Sequence, residues 1–162
     1  MIYITTLPSP VGCLTLASDG TALTGLWLEG QKHFPTLPAD AIRDASLPAF
    51  LQTAAWLDAY FSREPLPCLP PLSPQGTPFR EAVWAELAEL PYGKTVTYGA
   101  IADALRRRGG TASPRAVGGA VGRNPISILI PCHRVLGADG SLTGYAGGEP
   151  AKRFLLELEG IL

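Results

Sequence analysis

The chain contains no Cys-x-x-Cys pair, and its three cysteines, Cys13, Cys68 and Cys132, are odd in number and widely spaced. That pattern excludes a disulfide framework and a closed zinc site built on cysteine. No apolar run approaches the ~20 residues of a membrane span, so no membrane partner is expected. Met1-Ile2-Tyr3-Ile4 lacks the basic start of a secretory leader, and a reducing, cytoplasmic setting is the expectation. Disorder is excluded too, because 46% of the residues are hydrophobic. A formal charge of −1 offers no general attraction for nucleic acid. Divided along the chain, however, the charge is uneven. Residues 1–76 carry three basic groups against six acidic ones, a net −3, whereas residues 92–134 carry seven against Asp103 alone, a net +6. Local asymmetry of this kind decides whether a face can neutralise phosphates.

The 162 residues suit one domain or two small ones sharing an interface. Ile2, Ile4 and Thr6 alternate with Tyr3 and Thr5, and residues 13–17 and 22–28 are further apolar runs. The last two flank Ser18-Asp19-Gly20-Thr21, a hairpin signal, so the start reads as a β-meander. Residues 29–45, broken by Pro35 and Pro38, are expected to be irregular. A helix is predicted from near Ser46, with Leu47, Phe50, Leu51, Ala54, Leu57 and Phe61 as its apolar stripe. Five prolines between Pro65 and Gly76 predict a stiff linker. The expected division is therefore an N-terminal support domain over 1–64, a linker over 65–76 and a C-terminal domain over 77–162.

The second part reads as mainly helical, which makes the fold class α+β. Thr77-Pro78 and Ser113-Pro114 are cap-and-proline helix starts. Between them a short helix is predicted over 98–108, with Ile101, Ala102 and Leu105 inward and arginines in its last turn. The short helices on either side of Gly109-Gly110 form a helix-turn-helix candidate. In the helix after Ser113, Gly118 and Gly119 together cost roughly 2 kcal/mol against alanine. Close approach by a nucleic-acid backbone and tight helix–helix packing both explain them. Residues 126–130 read as a buried extended run. Residues 150–159 read as a closing helix with Phe154, Leu155 and Leu158 on one face.

Chemistry is concentrated at Pro131-Cys132-His133-Arg134-Val135. Positive neighbours lower a thiol pKa and make the sulfur a nucleophile. Cys13 and Cys68 lack such neighbours and read as inert buried thiols. Side chains adjacent in extended chain diverge, so His133 is expected to reach the sulfur through a water. A carboxylate on its other nitrogen would fix the tautomer. Glu159 is the candidate, with Glu157 and Glu149 as alternatives.

This segment resembles the active-site signature of the O6-alkylguanine-DNA alkyltransferases, the methylated-DNA–protein-cysteine methyltransferases. The resemblance extends through Arg115-Ala-Val-Gly-Gly-Ala, Gly122-Arg123-Asn124-Pro125, Gly144-Tyr145-Ala146-Gly147-Gly148 and Leu158-Glu159-Gly160. It covers residues 77–162 in order and spacing, and over 1–64 it is only topological. It implies a ribonuclease H-like first domain and a winged-helix-like helix-turn-helix in the second. The implied activity is single-turnover transfer of the alkyl group of O6-alkylguanine, and of O4-alkylthymine, to the protein's own cysteine, with no cofactor. Cys132 would be the acceptor, His133 the base and Glu159 its partner. Tyr98 would help rotate the nucleotide and protonate the leaving guanine. Asn124 would tie the recognition helix to the active-site segment. Arg115 would fill the place of the flipped base. Ala116, Gly118, Gly119 and Arg123 would meet the minor groove of double-stranded DNA, bound by a monomer. The carbonyls of Cys132 and Val135, with Tyr145 and Ala146, would line the pocket.

The chain departs from the family at Ala146, often serine there, and at Ser127, where some members have proline. Arg106-Arg107-Arg108 with Gly109-Gly110 is a longer basic turn than usual. The zinc of some members has no ligand set here, since Cys13, His33 and Cys68 are too few and poorly spaced. Three other readings compete. A lesion-binding protein of the same fold that flips the base without repairing it would have no use for Cys132. A helix-turn-helix regulator with Cys132 as redox sensor would not require Asn124, Tyr145 and Glu159. A cysteine hydrolase lacks an evident oxyanion hole.

Overall fold

In the computed structural model, which describes residues 1–162, the alternating N-terminal runs form a sheet. β1 (Tyr3–Leu7), β2 (Leu14–Ser18) and β3 (Leu23–Leu28) pair antiparallel in sequence order. The β2–β3 turn forms at Asp19-Gly20. Gly20 takes φ +101°, and the Asp19 carboxylate accepts the amides of Thr21 and Ala22, each at 2.9 Å. A two-residue β4 (Ile42–Arg43) pairs parallel with β1, giving the order β3-β2-β1-β4. Residues 29–45 are thus not irregular throughout; so short a strand shows no alternation in sequence.

α1 (Pro48–Phe61) starts at Pro48 with Leu47 as its cap, two residues past Ser46. Its buried face is Ala49, Phe50, Thr53, Trp56, Leu57 and Tyr60, while Leu51, expected inward, is exposed. The rotation buries two large aromatic rings, Trp56 and Tyr60, stacked 5.1 Å apart. Their area outweighs that of one leucine.

The proline-rich stretch is tied down rather than free. The Leu23 amide donates to the Pro71 carbonyl at 2.8 Å, and the Ser73 amide to the Leu23 carbonyl at 2.9 Å. Further along β3, the Leu26 amide donates to the Pro125 carbonyl at 2.8 Å, and the Ser127 amide to the Leu26 carbonyl at 3.0 Å. Segments 71–73 and 125–127 therefore cover the outer edge of β3. Proline is tolerated there because an edge segment need not donate on both sides. One continuous buried cluster passes from Leu16, Leu26 and Tyr60 to Trp84, Val121, Ile130 and Leu155.

The second half holds α2 (Pro78–Ala88), α3 (Tyr98–Arg107) and α4 (Pro114–Gly122), packed on one another. The hydroxyls of Thr77, Thr97 and Ser113 cap them, accepting the amides of Arg80, Ala100 and Ala116 at 3.1–3.2 Å. β5 (Val96–Thr97) and β6 (Val135–Leu136) pair parallel, which brings the start of α3 beside the chain just after Cys132. α5 (Glu149–Leu158) closes the fold. Its buried face is Lys152, Leu155 and Leu156, leading to Glu159, whereas Phe154 is exposed and Leu158 only half-buried. No helix is long and apolar enough to cross a membrane.

Residues 126–130 are buried as expected but not extended. Only Ile126 bridges to β3, and the chain then turns, with the Ile130 amide donating to the Ile126 carbonyl at 3.1 Å. Ile128 sits at φ +70°, a conformation that costs a β-branched residue about 1–3 kcal/mol. The turn aims the following Pro131-Cys132 step into the core.

Candidate active site

Cys132 opens a 3-10 turn, Cys132–Arg134, and is only 2% exposed. The expected lowering of its pKa by adjacent cations does not occur. Both neighbours turn elsewhere: His133 to Glu159, and Arg134 to Glu159 and the Leu90 carbonyl. Burial pushes the thiol above its ordinary range, against the Asn124 amide, the Lys152 ammonium and the Ser127 hydroxyl, which favour the thiolate. A buried thiol of this kind needs a base. Of the other two cysteines, Cys13 is half-buried and Cys68 is exposed, so neither is the buried thiol expected.

His133 is fully buried, and burial holds its pKa below the ordinary range against the pull of Glu159. Nε2 lies 2.5 Å from Glu159 Oε2 and, on the neutral ring, donates to it. Nδ1 is then a bare lone pair, buried and without a protein partner. No hydrogen bond joins Cys132 to His133 directly. Glu159, just past the end of α5, gathers four donors. Oε2 accepts from His133 and from the Tyr60 hydroxyl at 2.6 Å; Oε1 accepts from Arg134 Nε at 2.8 Å and the Gly93 amide at 3.0 Å. Burial opposes ionisation, but these donors outweigh it and hold the pKa at about 2. Glu149 and Glu157, the alternatives, are exposed and make no contact with the ring.

Asn124 ends the link from α4. Its amide donates to the carbonyls of Ile130 (2.8 Å) and Ile126 (3.3 Å), and its oxygen accepts the Ile126 amide at 3.1 Å. The Tyr98 hydroxyl, at the first turn of α3, donates to the Thr143 carbonyl at 3.0 Å. Tyr145 is buried with an unpartnered hydroxyl, and the Ala146 carbonyl accepts the Lys32 amide at 2.9 Å. Of the two carbonyls expected in the pocket, that of Cys132 accepts the Val135 amide and that of Val135 accepts Lys152 Nζ. Two clefts lie above. Tyr98, Pro114 and Thr143 line one; Lys32, His33, Arg123, Tyr145 and Ala146 line the other; Gly118 and Gly144 line both. Cys132 lines neither.

Arg115, Ala116, Gly119 and Arg123 are exposed on α4, and Arg115 has no ion-pair partner. The helix packs through Val117, Ala120 and Val121. A Cβ at Gly118 would meet only the Tyr98 ring at 3.8 Å, and one at Gly119 only Arg123 Nη1 at 4.0 Å. Helix–helix packing therefore does not require these glycines. Gly144 is different. It has φ +89°, and a Cβ there would fall 2.5 Å from the Tyr98 hydroxyl.

Sequence reasoning missed Lys152, Tyr60 and Gly93. Lys152 has no exposed surface and donates from Nζ to the Val135 carbonyl at 2.5 Å. Burial lowers its pKa to about 8. A signal existed: Lys152 and Glu159 are two helical turns apart and bracket Leu155-Leu156, which puts both charges on the apolar face. Tyr60 and Gly93 carried none, being 99 and 66 residues from Glu159 in the chain.

Comparison with known proteins places the chain in a family. Residues 78–161 match the family described as 6-O-methylguanine DNA methyltransferase, DNA binding domain, and residues 2–74 match its ribonuclease-like domain. The chain is 46% identical over 162 residues to the methylated-DNA–protein-cysteine methyltransferase of Haemophilus influenzae, covering 99% of this chain and 87% of that protein. It is 45% identical over 159 residues to the enzyme of the same name from Methanosarcina barkeri, covering 98% and 97%. A crystal structure of Mycobacterium tuberculosis OGT in complex with DNA superposes with a TM-score of 0.84 at 44% identity, over 97% of this chain and 92% of that one. With two family domains matched in order around a buried Cys132, the chain belongs to the 6-O-methylguanine DNA methyltransferase family.

Proposed function

We propose that this protein repairs DNA by moving the alkyl group of O6-alkylguanine, and of O4-alkylthymine, onto Cys132, once per molecule and without a cofactor. One observation carries the reading: a buried thiol follows a strained turn, next to a neutral imidazole whose far nitrogen is held by an ionised carboxylate. In the proposed reaction His133 Nδ1 accepts the thiol proton through a bridging water, and Glu159 stabilises the imidazolium that forms. The Lys152 ammonium offsets the thiolate charge. Sulfur attacks the alkyl carbon, the S–C bond forms, and the O6–C bond breaks with its electron pair passing to the guanine. Tyr98 leaves the Thr143 carbonyl and supplies a proton to the departing base. The thioether left on Cys132 resists hydrolysis, which makes the protein its own second substrate.

The target atom lies inside the duplex, so the nucleotide must be flipped, at a few kcal/mol. α4 would enter the minor groove, with Ala116, Gly118 and Gly119 allowing close approach, Arg123 near the backbone and Arg115 in the vacated place. Val135, Tyr145 and Ala146 would wall the guanine pocket, and Asn124 would hold helix and turn in register. In this reading residues 1–64 form a support domain, 65–76 a strap and 77–162 the reactive domain of a cytoplasmic monomer. Incubation with duplex DNA containing O6-methylguanine should leave the Cys132 peptide one methyl group heavier, at one equivalent per protein. Tight binding with an unmodified peptide would overturn the proposal in favour of lesion binding without repair.

A further inference from the structure

Tyr60 is the one side chain of the N-terminal half that hydrogen-bonds the His133–Glu159 pair. It sits in the last turn of α1, is 1% exposed, stacks on Trp56 and meets the Tyr92 ring edge-on at 6.1 Å. Aromatic contacts with Trp56, Phe61 and Tyr92 fix its ring, and the remaining freedom is rotation of the hydroxyl. That hydroxyl donates to Glu159 Oε2, the same oxygen that holds His133, and lies 3.5 Å from His133 Nε2. Burial drives its own pKa far upward, so it remains a protonated donor.

We infer that Tyr60 is a positioning residue for alkyl transfer, by which the N-terminal half sets the orientation and basicity of the His133–Glu159 pair. The effect is electrostatic. Oε2 shares its negative charge between two donors, so each receives less than it would alone. With the tyrosine hydroxyl present, the carboxylate pulls less strongly on the imidazole proton. His133 therefore stays neutral before reaction and has Nδ1 free to take the Cys132 proton. Without the hydroxyl, Oε2 serves His133 alone, the imidazolium is favoured, and the carboxylate is free to rotate away from the two-sided arrangement with Arg134 and Gly93. The titratable and charged groups facing this centre are Glu159, Arg134, Lys152, Tyr92 and Tyr145, and none of them replaces the lost donor. Nothing in the adjoining helix dictates a hydroxyl at this position for packing, since phenylalanine would fill the same space.

The inference rests on the alkyl-acceptor reading of Cys132, and the experiment separates the two. Single-turnover methyl transfer from O6-methylguanine duplex is timed across pH for the full-length wild type, Tyr60→Phe and Trp56→Phe. Tyr60→Phe should bind the duplex as the wild type does, while transferring about tenfold more slowly at neutral pH, the size of one charge-assisted hydrogen bond. The acid limb of its rate profile should move to higher pH by about half a unit or more. Trp56→Phe disturbs the stack but keeps the hydroxyl, so it should lower the unfolding midpoint and leave the acid limb in place. No transfer by wild type would refute the acceptor reading itself. Wild-type transfer with an unshifted, undiminished Tyr60→Phe profile, or equal shifts in both variants, would overturn the positioning role alone.

Discussion

Replacing Glu159 with glutamine changes almost no volume, yet it should damage both stability and chemistry. All four donors on the carboxylate are directed at acceptors. An amide offers one oxygen and one NH2, so one side of the site must face donor with donor. If the oxygen stays with Arg134 and Gly93, the NH2 points at His133 Nε2. The ring then holds its proton on Nδ1 and can no longer accept one from Cys132. A tautomer error of this type costs up to about 10⁴-fold in the serine protease triad, and we expect a loss of at least 10² here. The stability cost follows from two routes. The folded pKa of Glu159 lies at about 2 against an ordinary 4.5, so folding favours the carboxylate. That difference is worth about 3 kcal/mol, complete above about pH 5 and lost as pH falls toward 2. Independently, removing one partner of a buried ion pair costs about 3–5 kcal/mol, because Arg134 stays buried without its counter-charge. The two agree on a fall in Tm of about 10 °C near neutral pH. Urea unfolding of both proteins from pH 7 to pH 2 checks this, since the wild-type minus variant difference isolates Glu159 from other acidic groups. A difference that stays constant across that window, or a variant transferring within tenfold of wild type, would refute the account.

Other outcomes follow from the same geometry. Gly119→Ala should raise the stability of α4 by up to about 1 kcal/mol, since a Cβ there makes only an ordinary contact with Arg123 Nη1 at 4.0 Å, while weakening duplex binding in a mobility or anisotropy titration. Unchanged affinity would remove the groove-entry reading. Lys152→Met should slow thiolate formation, read from the pH dependence of Cys132 alkylation by a small reagent. The lysine pKa is lowered to about 8 from 10.5, so folding disfavours its charge. Wild-type stability should therefore rise relative to the variant between about pH 8 and 10.5, and a flat difference would contradict it. Arg115→Ala should slow repair in duplex DNA far more than reaction with free alkylguanine; equal losses would refute a flipping role.

The hairpin at Asp19-Gly20, the caps at Thr77 and Ser113, and the candidate Cys132-His133 step could all be read in the chain. Each depends on contacts within a few residues, or on a residue type suited to only one kind of position. The inward face of α1 and that of α5 were misread in part. Period alone does not say which of two adjacent stripes is covered, and here Trp56, Tyr60 and Lys152 turned the balance. The low thiol pKa expected beside His133 and Arg134 failed for a related reason. Sequence adjacency brings cations near in number, but a 3-10 turn spreads their side chains and Glu159 collects both.

Local order, the short capped helices of the second half and the choice of Cys132 as the proposed acceptor were therefore legible in the sequence, because propensity, capping and residue chemistry act at short range. What only the tertiary structure decided is the environment of that sulfur. The surroundings of Cys132 come from Tyr60 of the first half, Lys152 and Glu159 of the last helix, and the strained turn at Ile128. Burial and convergence of distant groups set their charges, and neither can be counted along a chain.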